Sequence, residues 1–389
     1  MKKVLVPRVR FKGFSEELKE EKFGELLFRI NEKGYEFLDT LTASKSGEML
    51  KRKSINYHIQ VAKESLKNYN RVLKNDFVLH LSTYESGLAY SKEIGITSPA
   101  YDVLRFFDKN NNDPIFFKYV FSNKKFINSL VPFTYGLRQG KSINLEELNK
   151  SLIEKTNISE QQKIGKLLDQ ISNLISLEEI KLNKLKQLKE TLLQKMFPEG
   201  NSKTPRIRFK WFSKEWKEEK LDDIFKVITG GEPPKNYKNS KHPVGKYKYP
   251  IYSNGQEANA IWGFSDNYSI NTEAITISSI GTIGFPVVRK MFFTPIIRLK
   301  TLLPYNKNMN INFLNLSVSQ INFSFNQAGI PSMNSNQLKD NIILISRNFS
   351  EQQKIGDFFC KIDTLINLYQ SKLNKLKQIK EALLQKMFV

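Results

Sequence analysis

Two stretches of the chain carry one long periodic pattern. In residues 159–197 the apolar positions fall at 164, 168, 171, 175, 182, 185, 188, 192 and 196, and in 350–388 at 355, 359, 362, 366, 369, 373, 376, 379, 383 and 387. Steps of three and four predict helices with a coiled-coil seam, which Glu178 interrupts in the first stretch. Ser159 with Gln162, and Ser350 with Gln353, fit capping boxes at the two starts. Elsewhere the pattern breaks into short apolar runs bounded by turn residues, at 76–82, 101–107, 274–290 and 341–346, which predict strands. Residues 114–123 and 310–319 predict short helices. The fold class is therefore α+β, with mixed α/β globules joined to two long helices.

The two periodic stretches are copies. Shifted by 191 positions, 159–197 and 350–388 align without a gap at 26 identities in 39, and both contain KLNKLKQ. A shorter pair precedes them: PRVRFKGFSEELKEEK (7–22) matches PRIRFKWFSKEWKEEK (205–220) at 12 of 16 positions. A tandem duplication follows, with a first globular domain over 1–158, a spacer helix over 159–197, a second domain over 198–349 and a second spacer helix over 350–389. The regions between the copied ends do not resemble each other in sequence. If the second helix packs on the first it must run back antiparallel, giving approximate two-fold symmetry. At the α-helical rise, 39 residues reach about 58 Å, or about 17 base pairs of B-DNA. Leu182, Leu185, Leu188 and Leu192, with Leu373, Leu376, Ile379 and Leu383, are the expected seam and partner-docking positions.

Charge narrows the function. Lys and Arg number 61 against 39 Asp and Glu, a formal net charge of +22, so a polyanion is the natural partner and nucleic acid the first candidate. One cysteine, Cys360, excludes an internal disulfide framework and suggests a cytoplasmic protein, and three histidines make a His/Cys zinc site improbable. No apolar run reaches the roughly 20 residues of a membrane span, and the start lacks the apolar region of a signal peptide. Phosphate-loop and dinucleotide-loop motifs are missing, and no Ser/His/Asp or Cys/His set can be assembled, which favours a binding module over an enzyme. EPPK (232–235) has Glu and Lys where an amino-methyltransferase motif has Asn or Asp first and a stacking aromatic fourth. Candidate DNA contacts lie in polar loops: Lys51, Arg52 and Lys53; Arg138 and Lys141; Lys235, Tyr237 and Lys241; Asn254 and Asn259; Gln327 and Asn334. Lysine suits phosphate, whereas Asn, Gln and Arg can pair with base edges.

The doubled SEQQKIG…LNKLKQ helices, the doubled PR(V/I)RF motif, and the loops GTIG (281–284) and GITSPAYDVLRF (95–106) resemble the specificity subunits of type I restriction–modification systems, over essentially the whole chain. The resemblance implies a non-catalytic subunit whose two variable regions are target recognition domains, each reading half of a bipartite double-stranded DNA target, asymmetric here because the regions differ. It also implies that the repeated helices dock two methyltransferase subunits, which bind S-adenosylmethionine, and that restriction subunits, which use ATP and Mg²⁺, join them. Two other classes stay open on the residues alone: a coiled-coil scaffold with acidic partners, and a stand-alone DNA enzyme.

Overall fold

A computed structural model describes residues 6–55, 62–80, 82–135, 142–255, 260–327 and 329–388. The periodic stretches fold as its two longest elements, helices Ile158–Met196 and Phe349–Met387. Their caps differ from the expected ones. Asn157 and Asn348 lie just before the helices and accept from the backbone N–H of Glu160 and Glu351, so Ser159 and Ser350 are already inside the first turn. Asparagine suits this position because its side-chain oxygen reaches the third helical N–H.

By compactness the chain divides into two units, residues 1–179 with 371–389 and residues 180–370. Each long helix is shared, so each unit holds the leading half of one and the trailing half of the other. Within unit one Glu178 pairs with Lys372 at 2.8 Å and Glu179 with Lys377 at 2.6 Å; within unit two Lys189 pairs with Asp363. In each unit, later residues of one helix meet earlier residues of the other, as antiparallel packing requires.

The seam departs from the expected one at two equivalent places. Leu188 and Ile379 face solvent, at 50% and 42% exposure. The heptad steps run 178, 182, 185, 189, 192, 196 and 369, 373, 376, 380, 383, 387, placing half-buried Lys189 and Lys380 in the seam where Leu188 and Ile379 were expected. A lysine stem is long enough to pack along a seam while its ammonium finds a partner. Lys189 reaches Asp363, and Lys380 lies over the Tyr119 ring at 5.5 Å. Burial, then the neighbouring charge of Lys118, lowers the Lys380 pKa. Glu178 does not interrupt the seam; it occupies it, buried and bonded to Lys372.

The two globular parts share a backbone plan that their sequences conceal. In unit one a sheet orders strands Leu27–Ile30, Asp102–Phe106, Phe77–Leu79, Ala89–Ser91, Glu48–Lys51 and Leu41–Ala43. In unit two a sheet orders Phe225–Thr229, Lys300–Pro304, Ala274–Ser278 and Gly284–Arg289. Its register is that of the first four strands of unit one shifted by 198 positions. Leu27 faces Phe106 as Phe225 faces Pro304, Phe77 faces Leu104 as Ile275 faces Leu302, and Phe77 faces Tyr90 as Ile275 faces Val288. Unit one continues the sheet with 48–51 and 41–43. Unit two builds a separate sheet instead, ordering Tyr237–Lys238, Ile261–Ser265, Tyr249–Tyr252 and Thr294–Pro295. The strands expected at 76–82, 101–107, 274–290 and 341–346 all form, as do the short helices, at Pro114–Phe121 and Ile311–Val318.

The copied motifs bind each globular part to its helix through the same contacts. Arg10 grips buried Glu160 through two nitrogens at 2.9 and 2.6 Å, and Arg208 grips buried Glu351 at 2.6 and 2.9 Å. Burial would raise the Glu160 carboxyl, but bonds from Arg10 and Thr156 hold it below the usual carboxylate range. The glutamine after each glutamate clasps a neighbouring loop. Gln161 accepts from Asp113 N–H and donates to Thr156 O, as Gln352 accepts from Asn310 N–H and donates to Ser346 O. Asp113 and Asn310 in turn cap the two short helices, accepting from Phe116 and Phe313 N–H at 2.9 Å each. A Cβ at Gly165 or Gly356 would come within 2.8 or 3.1 Å of those same nitrogens, so only glycine lets the short helix approach. Aromatic residues fill the cores beneath: Phe23, Phe77, Phe117 and Phe121 in unit one, Trp216, Phe225, Phe313 and Phe359 in unit two. Each contributes roughly 1.5–3 kcal/mol by leaving water.

Candidate nucleic-acid interface

In unit two, four loops converge on one asparagine. Asn254 accepts from Ser279 N–H at 2.8 Å and donates to Ile297 O, so both ends of its amide are held inside the protein. Ser279 extends the knot, donating its hydroxyl to Arg298 O at 2.7 Å and accepting from Met333 N–H at 2.9 Å. Gly281 N–H donates to Pro331 O, joining the GTIG loop to 326–333. The bonds explain the pair Gly230–Gly231: Ile297 and Arg298 donate to their carbonyls, and a Cβ on Gly230 would lie 2.8 Å from Ile296 N. Ile297 and Arg298 both take left-handed backbone, φ 50° and 59°. Successive non-glycine residues in that region are strained, and strain of this kind is kept where surroundings enforce a display. The residues displayed are exposed Arg298 and Gln327, beside a buried lysine. Lys300 donates to Thr229 Oγ1 at 3.0 Å and Ser335 Oγ at 2.9 Å, its pKa lowered by burial and then by Arg298.

Beside the knot, the second sheet of unit two carries a cationic, aromatic surface. Lys235, Lys238, Lys241, Lys246 and Lys248 are exposed, and across 230–249 the sequence has one acid, Glu232. Tyr237 packs on Trp262 with ring centroids 4.7 Å apart, and Tyr268 on Tyr249 and Phe292 at 4.9 and 4.8 Å. Lys238 and Lys246 lie over Tyr247, and Lys246 also pairs with Asp266 at 3.0 Å. Lys235 and Lys241 have open surface for phosphate, and half-exposed Tyr237 offers a ring edge backed by Trp262.

In unit one the expected basic cluster is partly neutralised. Lys51 and Lys53 both reach Asp39, at 3.1 and 2.8 Å, and together they lower its pKa. Such exposed pairs are weak and a phosphate could displace them. Arg52 is half-buried, with no partner for its Nε among the described residues. Arg138, Lys141 and Asn259 lie outside the described residues.

Asn254 thus lies in the knot of unit two and Gln327 next to Asn326, which pairs with Ser332; Tyr237 lies in a strand of the second sheet, and Lys235 and Lys241 in the exposed segments flanking that strand. Asn334 serves the fold instead, capping the helix Ser335–Lys339 in a capping box with Gln337. Pairing with a base would compete with these bonds at the Asn254 amide and at the Asn334 side-chain oxygen. Sequence reasoning missed Arg298 and Lys300. The doubled glycine at 230–231 signals a close backbone approach, but nothing local names the arginine that is approached. Among the described residues no cluster of His, Cys, Asp and Glu could hold a metal ion, and no helix is long and apolar enough to cross a membrane.

Known proteins fit this geometry. The family described as type I restriction modification DNA specificity domain matches residues 213–378, which contain the whole loop knot and the cationic sheet. Two Mycoplasma pneumoniae proteins named as type I specificity subunits are 34% identical over 143 residues and 36% identical over 115 residues. These stretches cover 36% and 28% of this chain but only 38% and 33% of the relatives' own lengths. The crystal structure of a type I restriction–modification S subunit from M. genitalium shares the fold, with a TM-score of 0.63 at 17% identity over 98% of this chain and 99% of that one. A structure described by complex assembly and conformational transition of a type I system matches at a TM-score of 0.50 and 14% identity, over 98% of both chains. The chain thus resembles type I specificity subunits in three respects: a specificity-domain match over 213–378, sequence likeness to part of two such proteins, and a fold shared with a solved S subunit over nearly its full length.

Proposed function

We propose that this chain is the DNA-reading subunit of a type I restriction–modification complex, with each unit reading one half of a bipartite, asymmetric duplex target. The observation that carries the reading is the contrast inside the duplication. The Arg–Glu–Gln–Gly frame recurs bond for bond, while the parts it holds, a hairpin extension in unit one and a loop knot with a cationic sheet in unit two, differ. A constant holder with interchangeable parts suits a reader of two different half-sites. The chain itself performs no chemistry in this reading. Two methyltransferase subunits docked on the helices supply it with S-adenosylmethionine, and restriction subunits consume ATP with Mg²⁺.

In unit two Arg298 is the candidate base reader, because the strained loop holds its backbone at an exposed position and a guanidinium fork can pair bidentately with guanine. Lys235 and Lys241 are candidate phosphate contacts. The decisive experiment replaces 221–349 by the corresponding region of a related subunit and maps methylated bases in cells carrying the methyltransferase partner. One half of the target should change while the other half and the spacing persist; a change in both halves, or in the spacing, sinks the reading. At finer grain, Arg298→Ala should relax preference at one position by roughly 1–3 kcal/mol. Lys241→Ala should weaken binding at all sequences and reduce the salt slope by about one unit.

A further inference from the structure

Unit one contains a cavity of about 160 Å³ between the short helix Pro114–Phe121, the strand Leu152–Lys155 and the end of the second long helix. Its walls are mostly apolar, with Leu18, Phe116, Val120, Phe126, Met387 and Phe388, and the polar Asn123, Thr156 and Glu160 also border it. Half-exposed Leu152 and the Lys125–Glu154 ion pair, at 2.7 Å, stand at the rim. Unit two shows what this space accommodates. Phe116 and Phe388 pack with ring centroids 5.5 Å apart, and their counterparts Phe313 and Phe197 pack at 5.9 Å. In unit two the indole of Trp216, 1% exposed, sits edge-on against both rings, at 5.3 Å from Phe313 and 5.4 Å from Phe197. The counterpart of Trp216 in the doubled motif is Leu18, which lacks the ring. What remains in unit two is an outer hollow lined by Phe197, Ser317, Gln320 and Ile342, outside the indole.

We propose that the unit-one cavity is a binding site for one indole-sized aromatic group, held edge-to-face by Phe116 and Phe388. Three observations support it independently of the DNA-reading function. The aromatic walls are those that already hold an indole in the other unit. Apolar cavities of about 150 Å³ are known to take up single aromatic rings rather than water. The indole N–H of Trp216 has no hydrogen-bond partner among the described residues, so recognition at this place runs through ring faces and edges and needs no polar anchor.

The test is titration of the full chain with indole, followed by saturation-transfer NMR and calorimetry. One saturable site per chain is expected. Leu18→Trp should reduce the count to none, and Val120→Phe, on the helix that carries Phe116 and also lining the cavity, is a second blocking variant should the first not fold. Trp216→Leu, by opening the equivalent space, should raise the count to two. Absence of saturable binding to the unmodified chain, or undiminished binding in a folded blocking variant, overturns the proposal; a folded Trp216→Leu chain that still binds one indole overturns the reasoning from unit two. N-acetyl-tryptophanamide separates the sources. Binding equal to that of indole assigns the site to a tryptophan side chain of a partner, and binding of indole alone to a free small aromatic molecule.

Discussion

Unit one and unit two hold their frames by the same bonds and fill them with different side chains. Arg10 and Arg208, Glu160 and Glu351, Gln161 and Gln352, and Gly165 and Gly356 correspond one to one. Around them Leu18 stands where unit two has Trp216, Gly13 where it has Trp211, and His80 where it has Ser278. The difference teaches which interactions tolerate drift. A buried carboxylate whose arginine is lost remains as an unpaired charge, so neither partner can change alone. Apolar packing has no such constraint and accepts new shapes while volume is roughly kept. At the leucine of unit one volume was not kept, and a cavity is the result.

The comparison can be broken where it is most symmetric. Arg10→Ala and Arg208→Ala each strand a buried glutamate and should destabilise their own unit by about 3–5 kcal/mol, read as lost amide protection in that unit. A frame that mattered in only one unit would give one large effect and one small. Next comes acid. Burial pushes the His80 imidazole down to about 4, while an unfolded histidine titrates near 6.5. The unfolded state therefore binds the proton more readily. The contribution is present in full above about pH 6.5 and lost as pH falls toward 4, up to about 3 kcal/mol. Amide exchange at pH 7 and pH 4.5 should show unit one weakening more than unit two, and His80→Gln should remove the excess.

A smaller effect sharpens the contrast at the leading motif. Trp211 is 91% exposed with φ 82°, where unit one has Gly13 at φ 97°. A bulky residue in left-handed backbone costs about 1 kcal/mol or more, so Trp211→Gly should stabilise unit two by about that amount in urea unfolding, and Gly13→Trp should destabilise unit one. Smallest of all, Leu188→Ala and Ile379→Ala should each lie within about 0.5 kcal/mol of the parent, because both face water. Losses of about 2 kcal/mol, the scale of a buried leucine, would restore them to the seam.

The long helices, the four strand-bearing runs and the two short helices were legible in the sequence because each rests on a local period. The shared register of the two sheets was not. Phe77 and Ile275, or Tyr90 and Val288, differ as letters while their backbones pair alike, and pairing between distant strands leaves no local mark. The seam was misread at 188 and 379 because a lysine one position later can pack its stem. Candidate contacts were the least legible. Asn254 and Asn334 are apt for adenine and equally apt for binding backbone, and only the fold decides between these uses. Arg298 was passed over because its distinction is its backbone angle.

The sharing of the long helices between the units sets an order of birth. Unit two is one uninterrupted stretch, 180–370, whereas unit one is closed by 371–389. Met387 and Phe388 pack into the unit-one core, and Val9 N–H donates to Lys386 O. During synthesis the earlier half must therefore wait for this later segment to leave the ribosome, while unit two has its parts sooner. At roughly 5–20 residues per second that wait lasts on the order of ten seconds or more. Through it unit one presents an unfinished apolar core to the cell, so the half made first is the half most in need of a chaperone.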